Sequence, residues 1–272
     1  MTARLLALDL DGTLLDETGQ VRPRDRDAIA AVRERGVIVT IITGRLAAGS
    51  VEAARACDIL GAIGCCDGSH LYDVGADQTL AHHALAADTR RSLDALLDDR
   101  ELTRYVFSSS HVFCDDLGHR FAGYVRTWSP QLSMLDDLTE GAEIWDDHAP
   151  LAQLVIGSSQ RVTAAFAAVT AEVPDLFAVS FAVSHAPGTH ALLMRAKGPS
   201  KGTALAELCE HYGVELADSV AVGDWLNDVP MFQVAGRSFA MAVAPPEVKR
   251  AATDHLPASA SSIADAIARC WP

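Results

Sequence analysis

Leu5-Leu6-Ala7-Leu8-Asp9-Leu10-Asp11-Gly12-Thr13-Leu14-Leu15 sets two acids, one residue apart, inside a run that otherwise has the composition of a buried strand. An unpaired carboxylate in an apolar setting is unfavourable, so a partner must offset it. The apolar run predicts a strand over Leu5–Leu10. On an extended chain Asp9 and Asp11 then project to the same side, and Gly12 lets the chain turn sharply. The same string also fits a plain strand end with solvated acids, so its surroundings have to decide.

Outward from that run the pattern alternates. Pro23–Arg35 reads as a helix with Ala28, Ile29 and Val32 on one face, and Gly36 ends it. Val37–Ile42 is a β-branched run suited to a buried parallel strand, followed by a helix over Val51–Cys57 and a strand over Ala62–Cys66. The rhythm returns late in the chain: a helix over Lys201–Tyr212 closed by Gly213, strands over Ser219–Val222 and Ser238–Ala242, and a helix over Ile263–Cys270. Strands alternating with helices imply βαβ units and a parallel sheet covered on both faces.

Between Ala84 and Ala196 the order changes. Leu151–Gly157 alternates like a strand, Val162–Glu172 reads as a helix, and Leu176–Val183 and His190–Arg195 read as strands joined by a Pro-Gly turn. The predicted fold class is therefore α/β, with a parallel-sheet core over residues 1–83 and 197–272 and an inserted α+β domain over 84–196. His82–Asp88 and Ala196–Ser200 are the expected connecting strands of a hinge.

With 272 residues, 49% of them hydrophobic and 21% charged, the chain can bury one large core or two smaller ones. A net charge of −14 argues against a nucleic-acid or anionic-membrane partner, because those surfaces need clustered Lys and Arg. No apolar run reaches the length of a membrane span and no secretory leader is expected, which points to the cytoplasm. Cys57, Cys65, Cys66, Cys114, Cys209 and Cys270 show no metal-binding spacing and are expected as reduced, buried thiols.

In an open parallel sheet, ligands bind at the carboxyl ends of the strands. Four polar clusters fall at such places: Asp9-Leu10-Asp11-Gly12-Thr13, Thr43-Gly44-Arg45, Lys201 at a helix start, and Gly223-Asp224-Trp225-Leu226-Asn227-Asp228. Thr43-Gly44 alone could be a turn, and Ser200 could merely cap a helix that leaves Lys201 solvated. Asp224 and Asp228, with Asn227 between them, suit a hard oxygen-ligated cation such as Mg²⁺. Trp225 is expected to pack, and His82 and His83 to be structural or solvated.

The four clusters in this order resemble the haloacid dehalogenase superfamily of phosphohydrolases, and the insertion is similar to the α+β cap of its Cof-like sugar-phosphatase branch. The resemblance implies a Rossmann-like core with a mobile cap, and a Mg²⁺-dependent phosphatase acting on a small phosphorylated metabolite, a sugar phosphate. It assigns Asp9 as nucleophile and Asp11 as acid and base. Thr43, Gly44, Arg45, Lys201 and Asn227 would grip phosphate or substrate, and Asp9, Asp11, Asp224 and Asp228 would hold or support the metal. Many relatives carry Asn-Gly-Ala where this chain has Asp67-Gly68-Ser69, and Gly-Asn-Ala where it has Ala242-Val243-Ala244. The alternatives are a sugar phosphomutase of the same superfamily and a phospho-aspartate switch. The oligomeric state is left open.

Overall fold

A computed structural model describes residues 3–98, 101–139, 143–183, 186–258 and 262–272. The chain divides into two compact units, 1–44 with 50–81 and 199–272, and 45–49 with 82–198. Among the described residues no helix is long and apolar enough to cross a membrane.

The first unit is built on a five-stranded parallel sheet. Leu5–Leu8 lies between Ile38–Ile41 on one side and Ser219–Gly223 on the other, with Arg237–Ala240 and Asp254–His255 beyond. All four side chains of Leu5–Leu8 are buried, so the run is continuous rather than alternating, as a strand covered on both faces requires. Leu5, Ala7 and Ala221 join Leu205, Leu208 and Phe232 in one core cluster, and the helices Pro23–Glu34 and Ser262–Cys270 pack against each other. A second, three-stranded sheet is ordered Ala62–Cys65, His70–Asp73, Gln78–His82, and an isolated parallel bridge ties Ile42 to Gly64.

The first strand ends two residues before the predicted Leu10. Asp9 N donates the last ladder bond to Val222 O (2.9 Å), and the chain then coils, with Leu14 N on Asp9 O and Leu15 N on Leu10 O. The alternation that would aim Asp9 and Asp11 to one side therefore does not apply, and the two differ in burial: Asp9 is buried and Asp11 exposed. Ala62–Cys65 likewise stops short of Cys66, which has turned to positive φ.

The second unit carries a six-stranded sheet ordered Leu176–Ala182, Thr189–Ala196, Ala152–Ser158, Thr103–Phe107, Val112–Cys114, Leu132–Met134. Its helices Ala87–Leu96 and Ser159–Glu172 bury Leu93, Val162 and Val169 with Val155, Leu192 and Met194 of the sheet. The expected hinge strands are not strands: after His82 the chain is irregular up to the helix at Ala87, and Lys197–Ser200 is a bend that leads into a helix cap. None of the six cysteines, all among the described residues, forms a disulfide, and five of them are buried. Burial holds the Cys65 thiol well above its usual range, which disfavours the thiolate a redox role would need.

Candidate active site

Parallel pairing brings three strand ends to one edge of the first unit's sheet. Asp9 follows Leu5–Leu8, Thr43 stands two residues past Ile38–Ile41, and Asp224 follows Ser219–Gly223. Leu10 and Leu14, both fully buried, pin the loop that carries Asp9 and Asp11. Gly12 sits at φ +74°, and a Cβ there would overlap Asp224 Oδ2. Gly12→Ala is therefore expected to destabilise the fold by about 2 kcal/mol, from left-handed strain and displacement of Asp224 together. Chemical denaturation checks this, and an unchanged midpoint would contradict it.

Lys201 opens the helix Lys201–Tyr212. Ser200 and Thr203 form a reciprocal capping box ahead of it, and Gly213 closes the helix at φ 62°. The cap does not leave Lys201 solvated: its side chain is 1% exposed, and Nζ donates to Asp9 Oδ1 at 2.5 Å and Asp228 Oδ1 at 2.6 Å. Asp228 is a hub, since its Oδ2 also accepts from Asp224 N (2.8 Å) and Trp225 N (2.9 Å). Gly223 is required beside it, because a Cβ there would overlap the Asp228 carboxylate.

Charge in this cluster is unbalanced. Burial works against the Lys201 ammonium, but Asp9, then Asp228 and Asp67, outweigh it and hold the pKa above the usual lysine range. Burial raises the Asp9 carboxyl well above its ordinary value; Lys201 opposes this, and the Asp228 and Asp224 charges add to it. Asp224 is pushed up to about 6, by burial first and the Asp228 charge second, and it hydrogen-bonds to Asp9. Three carboxylates thus share one ammonium. Asp9, Asp224 and Asp228 each offer an oxygen, all within 4.8 Å of one another. An all-oxygen donor set in which two carboxyls resist ionisation together fits a hard divalent cation of the Mg²⁺ type.

Thr43 is buried at the end of its strand, with N on Gly64 O (2.9 Å) and its own carbonyl accepting from Asp67 N (3.0 Å). Asn227 Nδ2 donates to Asp67 Oδ1 at 2.9 Å, and both atoms flank Gly44. Asp67 thus belongs to the site, although the sequence marked it only as a departure. Cys66 at φ 49° and Asp67 at φ 51° are both left-handed, at roughly 1–2 kcal/mol each. The Asp-Gly pair was the available signal, since Asp and Gly tolerate that region best.

Two expectations fare differently. Arg45 falls with the second unit, where its guanidinium donates to Gly49 O (3.2 Å), so it is not among the residues assembled in the first. Trp225 does not pack: its side chain is 56% exposed while its backbone is fixed by Asp228.

Residues 6–269 match the family model of haloacid dehalogenase-like hydrolases. The chain is 30% identical to the pyridoxal phosphate phosphatase YbhA of Escherichia coli, over 92% of this chain and 91% of that protein. It is 25% identical to the 5-amino-6-(5-phospho-D-ribitylamino)uracil phosphatase YwtE of Bacillus subtilis, with the same coverage. A haloacid dehalogenase-like hydrolase from Bacteroides thetaiotaomicron shares the fold at a TM-score of 0.85 and 19% identity, covering 99% of this chain and 100% of that one.

Proposed function

Because the chain belongs to the haloacid dehalogenase-like hydrolases, we propose that it is a Mg²⁺-dependent phosphatase working through an aspartyl-phosphate on Asp9. The two curated relatives described above, matched along nine-tenths of its length, are named phosphatases of small phosphorylated compounds, and it is a phosphoric monoester hydrolase like them. The observation that carries the finer reading is Lys201 clamped between Asp9 and Asp228, with Asp224 alongside.

The Asp9 carboxylate forms a bond to phosphorus as the ester P–O bond breaks, so one difficult displacement becomes two easier ones. Asp11, exposed on the same loop, gives a proton to the leaving alkoxide. It then takes one from the water that attacks phosphorus, releasing phosphate and restoring Asp9. The Thr43 hydroxyl, the Gly44 amide and the Lys201 ammonium meet the phosphoryl oxygens, with Asn227 beside them. Asp9, the Asp11 carbonyl and Asp224 would hold Mg²⁺, which when bound offsets the repulsion between nucleophile and phosphate. Both oxygens of Asp228 already accept hydrogen bonds, so its part is to support Lys201 and the Asp224 backbone.

The leaving group we assign is a sugar or polyol, acted on in the cytoplasm. A phosphorylated nitrogen heterocycle is the second reading, favoured by the exposed Trp225 beside Asp224, a flat apolar face on a fixed backbone. Assays of p-nitrophenyl phosphate, ribose 5-phosphate and pyridoxal 5′-phosphate, with and without Mg²⁺, test both. Folded, Mg²⁺-loaded protein that releases no phosphate from a broad panel overturns the hydrolase. Isomerised sugar phosphate in place of free phosphate would show a mutase, and a long-lived phospho-Asp9 would show a switch.

Metal and pH are linked here. Asp224 sits near 6 in the folded protein against an ordinary value of 3.8, so its ionisation favours unfolding. That contribution to stability is full below about pH 4 and is lost as pH rises through about 6. Mg²⁺ selects the ionised carboxylates and removes the penalty. Its effect on Tm is expected to be small near pH 5 and several degrees larger near pH 7.5. Thermal melts at both pH values check this, and a pH-independent shift would contradict it.

A further inference from the structure

The turn Cys66-Asp67-Gly68 is strained, and the chemistry above makes no use of its acid. Three consecutive residues hold positive φ, at 49°, 51° and 92°, and only the third is glycine. Such strain persists only where the surroundings fix it. Asp67 N is bonded to Thr43 O (3.0 Å) and Ser69 N to Cys66 O (3.0 Å). Gly68 lies so close to Ser200 that a Cβ would collide with its carbonyl. The turn is therefore wedged between the strand end that carries Thr43 and the cap of the helix that carries Lys201. Its outcome is one aimed carboxylate, 2.9 Å from the Asn227 amide.

We propose that Asp67 is a positioning residue: it fixes the Asn227 amide so that an N–H of Asn227 faces the phosphoryl oxygens gripped by Thr43 and Gly44. The inference rests on the phosphatase reading of that cradle. A carboxylate offers lone pairs and no N–H, so the Asn227 atom facing it must be Nδ2. That choice settles which way the amide is turned. Nδ2 carries two hydrogens, and the bond to Asp67 uses one of them. The same nitrogen stands 3.8 Å, and Asp67 Oδ1 3.4 Å, from the point a Cβ on Gly44 would occupy. Both are ordinary contact distances, so the space over Gly44 is open to an atom of ligand size, with an amide nitrogen at its side. An acid beside an anion cradle is otherwise unfavourable, and Lys201, whose charge Asp67 supports, partly offsets it.

The two possible roles of Asp67 differ in sign. If it only adds negative charge, removing it tightens phosphate binding; if it positions Asn227, removing it weakens binding. Asp67→Gly deletes the carboxylate and suits the left-handed backbone, so the fold is retained. Calorimetric titration of inorganic phosphate in the presence of Mg²⁺ is expected to show about 10-fold weaker affinity in Asp67→Gly. KM for p-nitrophenyl phosphate should rise in parallel, with kcat changed less. Asp67→Asn, which keeps an acceptor, should recover affinity to within about 3-fold. In the double variant with Asn227→Ala, loss of Asp67 should add little to the effect of Asn227→Ala alone. Tighter binding in Asp67→Gly, additive losses in the double variant, or a wild type that binds no phosphate overturns the proposal. Wild type that binds phosphate but cleaves no ester defeats the hydrolase reading instead, and the affinities still decide the role of Asp67.

Discussion

Asp9→Asn is expected to lower kcat for any phosphate ester by about 10⁴-fold or more while leaving ester affinity within a few-fold. The amide has nearly the same shape, and its Oδ1 can still accept from Lys201 Nζ, so the scaffold around the phosphoryl position stays intact. What disappears is the anion able to form a bond to phosphorus. The variant should not melt below the wild type in the absence of metal, because burial and the Asp228 and Asp224 charges already oppose ionisation of Asp9. It should lose much of the Mg²⁺-induced rise in Tm, because one donor of the oxygen cluster has lost its charge. Single-turnover phosphate release and thermal melts read these effects separately. Activity within 10-fold of wild type would place the nucleophile elsewhere.

The parts legible in the sequence are those where local pattern and tertiary placement agree. Leu5–Leu8 and Ile38–Ile41 are apolar and β-branched runs that a two-sided parallel strand requires, and strand ends in such a sheet share an edge. That is why Asp9, Thr43, Lys201, Asp224 and Asn227 stand out in the sequence itself. The burial of Lys201 could not be read, because Ser200 caps its helix whether or not the lysine is solvated. The partners that draw it inward stand 192 and 27 residues away. Asp25 shows the same limit: it stands in the first turn of a helix, yet it is buried and accepts from Ala264 N (2.9 Å), 239 residues on.

Other misses trace to short elements and to backbone conformation. Val112–Cys114 and Leu132–Met134, three residues each, offer no period to detect. The Asp67 contact depends on two successive left-handed residues, and alternation arguments assume an extended chain. The same assumption carried the first strand through Leu10, where the chain instead coils after Leu8, with Asp9 buried and Asp11 exposed. That difference suits their proposed chemistry: a nucleophile shielded from water, and a proton carrier in contact with it.

Lys201→Met carries the largest expected effect on stability. Methionine fills much of the volume of the lysine stem but leaves the Asp9 and Asp228 carboxylates facing each other in a buried site without their ammonium. Breaking a buried pair in this way costs about 3–5 kcal/mol at neutral pH. The pH dependence identifies the cause. In the wild type the raised Lys201 pKa gives a contribution that is complete below the ordinary lysine value of 10.5 and is lost only above its folded value, so it is constant across the acid and neutral range. In the variant the Asp9 and Asp224 carboxyls move further upward, Asp9 from its already raised position and Asp224 from about 6. Their protonation relieves the repulsion, so the deficit relative to wild type should be smallest near pH 4–5 and full above about pH 7. Urea denaturation across that range, without metal, reads the deficit directly. A deficit flat with pH would mean that Lys201 acts through packing alone. Phosphate release should fall by about 10²–10³-fold even where the fold is saturated with Mg²⁺, because the ammonium that meets the phosphoryl oxygens has gone.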